Sequence, residues 1–162
     1  MGDVQGIDAD AVTAWYQDHV DGTTPPLEFD LIAGGHSNLP FRVTDADGRR
    51  TVLRRPPLGQ VLASAHDMGR EHRIIAALHH TDIPVAPPLG YVPDDSVNGA
   101  PFYVMDFVDG HVLRSRDEAM ALRPEARTRC GDSLIEVLAR IHAVDVDAVG
   151  LGDLGRKDGY IE

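Results

Sequence analysis

Two short apolar runs, "LPFRV" at 39–43 and "RTVLRR" at 50–55, flank the turn "TDADGR", and this turn constrains the fold more than any other feature. Asp47-Gly48 supplies the left-handed backbone that a tight reversal needs, so the two runs read as an antiparallel hairpin. A further run, "LEFDLIAG", precedes them across the glycine turn "GGHSN". "RPPLG" follows and ends the third strand, because proline cannot donate to a central ladder. Three strands linked this way commit the chain to a sheet that needs a cover on at least one face.

The remaining punctuation completes the order. "DADAVTAWYQDHV", residues 8–20, reads as a helix with Asp8 or Asp10 as cap and Val12, Trp15, Tyr16 and His19 along one stripe. "SAHDMGREHRIIAALHH" reads as a second helix, with Ser64 as cap and Met68, Ile75 and Leu78 on one face. "TDIPVAPPLGYV" and "APFYVMDFV" are two further strands joined by the polar turn "PDDSVNG". A capping box, Ser115 with Glu118, opens a short helix. A longer one starts near Pro124 with Cys130, Leu134, Val137, Leu138 and Ile141 as its apolar stripe. The expected fold class is α+β: a five-stranded antiparallel sheet with one inserted helix, then the beginning of a helical region. The expected division is a helix and linker at 1–26, a sheet lobe at 27–110 and an incomplete helical part at 111–162.

Composition narrows the partners. A formal net charge of −11 opposes nucleic acid and anionic membranes, and 43% hydrophobic residues suffice for one ordinary core. Cys130 is the single cysteine, so no internal disulfide forms. No basic-then-apolar leader and no long apolar run occur, so the expected location is cytoplasmic.

Four stretches carry chemistry, each with a plainer reading beside it. The turn "GGHSN" offers backbone N–H groups with little side-chain obstruction, plus the Ser37 hydroxyl and Asn38 amide, all suited to phosphate oxygens. The same residues also build ordinary hairpins. In "TVLRR", strand alternation puts Val52 and Arg54 on one face, so Val52 can roof a flat ring while Arg54 reaches phosphates. A solvated charge pair at a strand end is the bland alternative. Glu71, in "GREHRII", can reach a cation on the sheet or make only exposed helix contacts. "PFYVMDFVDG" leaves the sheet abruptly, and its freed backbone groups can pair with an adenine edge or simply begin a turn.

In that order, "GGHSNLPFRV", "TVLRRPPLG", "SAHDMGREHRIIAAL", "DIPVAPPLGY" and "PFYVMDFVDGHVL" resemble the N-terminal lobe of a protein-kinase-like fold, over residues 28–145. The resemblance is to the aminoglycoside phosphotransferase family and its choline-kinase-like relatives, especially the subgroup that also occurs fused to some acyl-CoA dehydrogenases. It implies ATP as cofactor and in-line transfer of the γ-phosphoryl group to a small hydroxylated substrate. By position it implies that Gly34, Gly35, His36, Ser37 and Asn38 cover the phosphates, with Ser37 as direct donor. Arg54 would be the strand cation on the α- and β-phosphates, and Glu71 the helix carboxylate that orients it. Val52 and Met105 would flank the adenine, and the Asp106 carbonyl and Val108 N–H would read its edge. Two departures stand out: the loop lacks the full G-x-G-x-x-G of protein kinases, and the strand cation is Arg where Lys is usual.

The catalytic loop of that family is missing. His142 and Asp145 are one residue too far apart for His-x-Asp, and the two asparagines, Asn38 and Asn98, lie upstream. "GDLG" at 152–155 follows the long helix with no catalytic loop between them. The expectation is therefore no catalytic and no metal-ligating residue in this chain, with Mg²⁺ held only by a missing second lobe. The chain reads as the nucleotide-binding part of a longer phosphotransferase. The apolar face of 124–142 would then lack part of its packing and favour self-association. The competing expectation is a non-catalytic nucleotide-binding or protein-interaction module.

Overall fold

A computed structural model describes residues 4–32, 38–59 and 66–155. The elements run α1 (Ala9–His19), β1 (Glu28–Leu31), β2 (Leu39–Thr44), β3 (Arg50–Arg55), α2 (Met68–Leu78), β4 (Pro88–Val92), β5 (Phe102–Asp106), α3 (Arg116–Ala121) and α4 (Pro124–His142). The five strands form one antiparallel sheet in the order β1-β2-β3-β5-β4. The α+β sheet-with-helices class expected from the sequence is the class observed.

The β2–β3 hairpin closes at Gly48, whose φ of +81° only glycine adopts without strain. Asp45 holds the turn with one carboxylate oxygen, which accepts from the N–H groups of Asp47 and Arg49. β3 stops at Arg55, directly before Pro56 and Pro57. "TDIPVAPPLGYV" yields a shorter strand than its apolar content suggests, since β4 begins only at Pro88. Pro84 and Pro87 lack the N–H groups a longer ladder would use.

The chain divides into two compact units, residues 1–76 with 86–107 and residues 77–85 with 108–162. In the first, the sheet has two chemically different faces. Phe29, Phe41, Val43, Leu53, Phe102 and Val104 project from one face into the core beneath α1. Burying each such side chain stabilises the fold by about 1.5–3 kcal/mol. Asp8 caps α1 by accepting from the Ala11 N–H, which directs Val12, Trp15 and Tyr16 inward. The Tyr16 hydroxyl meets Thr51 Oγ1 at 3.1 Å on that face. α1 thus packs onto the sheet within the same compact unit.

The second unit contains α3 and α4. The Ser115–Glu118 capping box is formed, and Pro124 opens α4 at its first turn. Arg127 Nη1 ties the two helices by donating to the Met120 and Leu122 carbonyls. Leu134, Ile135, Leu138 and Ile141 on α4 are exposed. Among the described residues no helix is long and apolar enough to cross a membrane.

Candidate functional site

The second sheet face carries the polar chemistry. Strand pairing aligns Pro40, Arg54, Tyr103 and Tyr91 in one row across β2, β3, β5 and β4. The next row is Arg42, Val52, Met105 and Pro88. The alternation that predicted a shared face for Val52 and Arg54 therefore extends to Met105, directly opposite Val52.

α2 supplies the carboxylate. Asp67 Oδ1 accepts from the Arg70 N–H at 2.9 Å and so fixes the start of the helix, where Ser64 lies outside the described residues. Glu71 then falls in the first turn, where the helix dipole favours a negative charge. Its Oε2 accepts from Arg54 Nε at 2.8 Å and from the Tyr103 hydroxyl at 3.1 Å. Its Oε1 accepts from Asn38 Nδ2 at 2.7 Å. Asn38 Oδ1 in turn pairs with His66 Nδ1 at 2.7 Å.

The ion pair is partly exposed, with 31% of the Arg54 side-chain surface open and 28% of that of Glu71. Contact to Glu71 uses Nε alone, so Nη1 and Nη2 of Arg54 have no protein partner among the described residues. Burial, reinforced by the Glu71 charge, pushes the Tyr103 phenol well above its ordinary value. Tyr103 therefore stays protonated and remains a donor throughout the physiological range. His72, one residue beyond Glu71, stacks on Tyr91 at 5.0 Å, and burial lowers its imidazole below the usual value.

The other expected residues fall as follows. Val52 is buried and Met105 half-buried, side by side on the Arg54 face. Asp106 ends β5, with its N–H donating to the Pro87 carbonyl and its carboxylate 3.7 Å from Arg49 Nη2. Val108 is exposed and belongs to the second unit. Gly34, Gly35, His36 and Ser37 lie outside the described residues. Asn38 is described and buried, with both ends of its amide bonded within the protein. Among the described residues no group of three or more His, Cys, Asp or Glu side chains could hold a metal ion.

Tyr103 and His66 are the members of this network absent from the sequence reading. Tyr103 has the same strand parity as Met105, a signal that places it on the Arg54 face. His66 carries no such signal, because it precedes α2 in irregular chain.

Arg54 of β3 and Glu71 of α2 are paired on one sheet face, and comparison with known proteins gives the family. The model of the phosphotransferase enzyme family matches residues 28–162. The chain belongs to this family. The acyl-CoA dehydrogenase IBR3 of Arabidopsis thaliana is 35% identical over 161 residues, 95% of this chain and 19% of that protein. Acyl-CoA dehydrogenase family member 10 of Mus musculus is 36% identical over 139 residues, 86% of this chain and 13% of that protein. Human acyl-CoA dehydrogenase family member 11 is 32% identical over 159 residues. A crystal structure from Ralstonia eutropha, assigned as an aminoglycoside phosphotransferase, superposes with a TM-score of 0.75 at 36% identity. It is matched over 93% of this chain and 42% of its own length. The chain thus spans less than half of that phosphotransferase and about a fifth or less of the dehydrogenase relatives.

Proposed function

We propose that this chain is the ATP-binding part of a small-molecule O-phosphotransferase. The observation that carries the reading is the Arg54 guanidinium, held at Nε by Glu71 with both terminal nitrogens unpartnered among the described residues. Arginine grips phosphate oxygens with such a pair of nitrogens and remains charged at any relevant pH. Val52 and Met105 offer an apolar surface beside it for the adenine, and Ser37 with the glycines of the turn would cover the phosphates. The backbone of Asp106 and Val108 would read the adenine edge.

ATP would supply the transferable γ-phosphoryl group. The described residues offer no carboxylate cluster for Mg²⁺, so no metal-dependent step is assigned to them. Acceptor binding, proton removal and metal binding are assigned to polypeptide corresponding to the rest of the longer family members. A cytoplasmic location fits this use of ATP.

Calorimetric titration with ADP tests the reading. Charge-assisted hydrogen bonds contribute about 1.5–3 kcal/mol each, so Arg54→Ala should weaken ADP about tenfold or more while leaving adenosine affinity unchanged. Equal ADP affinity in the two proteins would remove Arg54 from the site. No ADP binding by the unsubstituted chain would favour an interaction module instead.

A further inference from the structure

Asn38 follows directly on the glycine-containing stretch 33–37 in sequence, yet it is only 3% exposed. Its orientation is fixed by chemistry. Nδ2 must face Glu71, because the reverse would set an amide oxygen against a carboxylate at 2.7 Å. Oδ1 therefore faces His66, and an oxygen only accepts, so His66 carries a proton on Nδ1. A chain of contacts then runs from His66 through Asn38 to Glu71 and on to Arg54.

Arg54 touches Glu71 through one nitrogen, and a single contact does not by itself fix where its terminal nitrogens point. The direction depends on how firmly the carboxylate is held. Tyr103 shares Oε2 with Arg54, and Asn38 holds Oε1, so both oxygens are engaged and rotation of the carboxylate would break hydrogen bonds. We propose that Asn38 is a positioning residue: it holds Oε1 of Glu71, and through Glu71 it sets the direction of the Arg54 guanidinium. His66 holds Asn38 in the orientation that does so. The proposal rests on the reading of Arg54 as a phosphate ligand.

The test is Asn38→Asp, which keeps the size and replaces the donor facing Glu71 with an acceptor. ADP affinity should fall about tenfold with adenosine affinity unchanged. The Arg54 Nε–H resonance should be protected from exchange in the unsubstituted protein, where Nε donates to Glu71, and should lose that protection in the variant. The double variant Asn38→Asp/Glu71→Gln restores a donor–acceptor pair with its direction reversed, and should recover part of both signals. A merely structural asparagine would weaken ADP and adenosine alike, follow thermal stability, and gain nothing from the reversed pair. Either that pattern or an unchanged ADP affinity overturns the proposal. If the unsubstituted chain binds no ADP, the functional reading fails on its own account. The Arg54 resonance still decides the coupling: protection that survives in Asn38→Asp refutes it, and protection lost and recovered in the double variant supports it.

Discussion

Arg54 meets Glu71 through Nε, 2.8 Å from Oε2, and not through its terminal fork. The guanidinium thus divides its work: one nitrogen anchors the side chain while two others stay available to a ligand. A lysine has one nitrogen for both tasks.

Replacement by lysine measures that division. Arg54→Lys keeps the charge but loses simultaneous anchoring and bidentate grip. ADP affinity should therefore fall in the order unsubstituted chain, Arg54→Lys, Arg54→Ala, each step on the order of three- to tenfold. Calorimetry with ADP reads the order directly, and a lysine variant equal to the unsubstituted chain would show that only charge matters.

Tyr103→Phe removes one of the donors to Glu71 and should cost about 1 kcal/mol of unfolding free energy. Its pH signature is more specific. The folded phenol titrates above its ordinary value of 10.0, first because it is buried and then because Glu71 is near. Below that value both folded and unfolded chains hold the proton, and stability is unaffected. Above it the unfolded chain ionises first, so stability falls as pH rises. Comparing urea midpoints at about pH 8 and about pH 11 should show a smaller alkaline loss in Tyr103→Phe. Tyr16, buried and shifted in the same direction, retains its own share.

A Cβ added at Gly90 would lie 2.7 Å from Cη2 of Trp15, too close for either the strand or the indole to remain in place. Gly90 sits opposite Val104 beside the irregularity in the β4–β5 pairing. Gly90→Ala should destabilise the fold by about 1–3 kcal/mol, as overpacking of a filled core does. Chemical denaturation checks it, and ADP affinity measured well below the midpoint should not change.

Leu134, 69% exposed on α4, belongs to an apolar patch with Ile135, Leu138 and Ile141. We expect this patch to drive self-association of the isolated chain. Leu134→Glu should reduce association, measured by sedimentation, while changing stability by no more than about 0.5 kcal/mol. Unchanged association would place the contact elsewhere.

Much of the sheet was legible because its turns use residues with little freedom to do anything else. Asp47-Gly48 announced the hairpin and Pro56-Pro57 the end of β3. Val52 and Arg54 could be placed on one face because strand alternation is strict, and Met105 joins them through the β3–β5 register. Glu71 was legible only through the resemblance, since a helix glutamate has many ordinary uses. The roles of Asn38, His66 and Tyr103 were not legible. Asn38 and Tyr103 meet Glu71 across 33 and 32 positions, His66 meets Asn38 across 28, and no local pattern encodes such juxtapositions. Asn38 read as a loop amide open to phosphate, whereas packing buries it against α2. The packing of α1 onto the sheet was hidden for the same reason: an amphipathic stripe tells that a helix has a partner, not which surface that partner is.

The two faces of β3 have a consequence for how sequence change in this chain will be read. Leu53 lies in the core beneath α1, and its neighbour Arg54 stands on the side of Glu71. Substitutions along 51–55, scored in parallel for abundance and for nucleotide retention, should therefore oscillate with a period of two residues. Thr51, Leu53 and Arg55 would register in the first score and Arg54 in the second, with buried Val52 in both. A variant whose effect falls in the wrong phase would mark a slipped register, so five adjacent codons can report the alignment of the whole sheet.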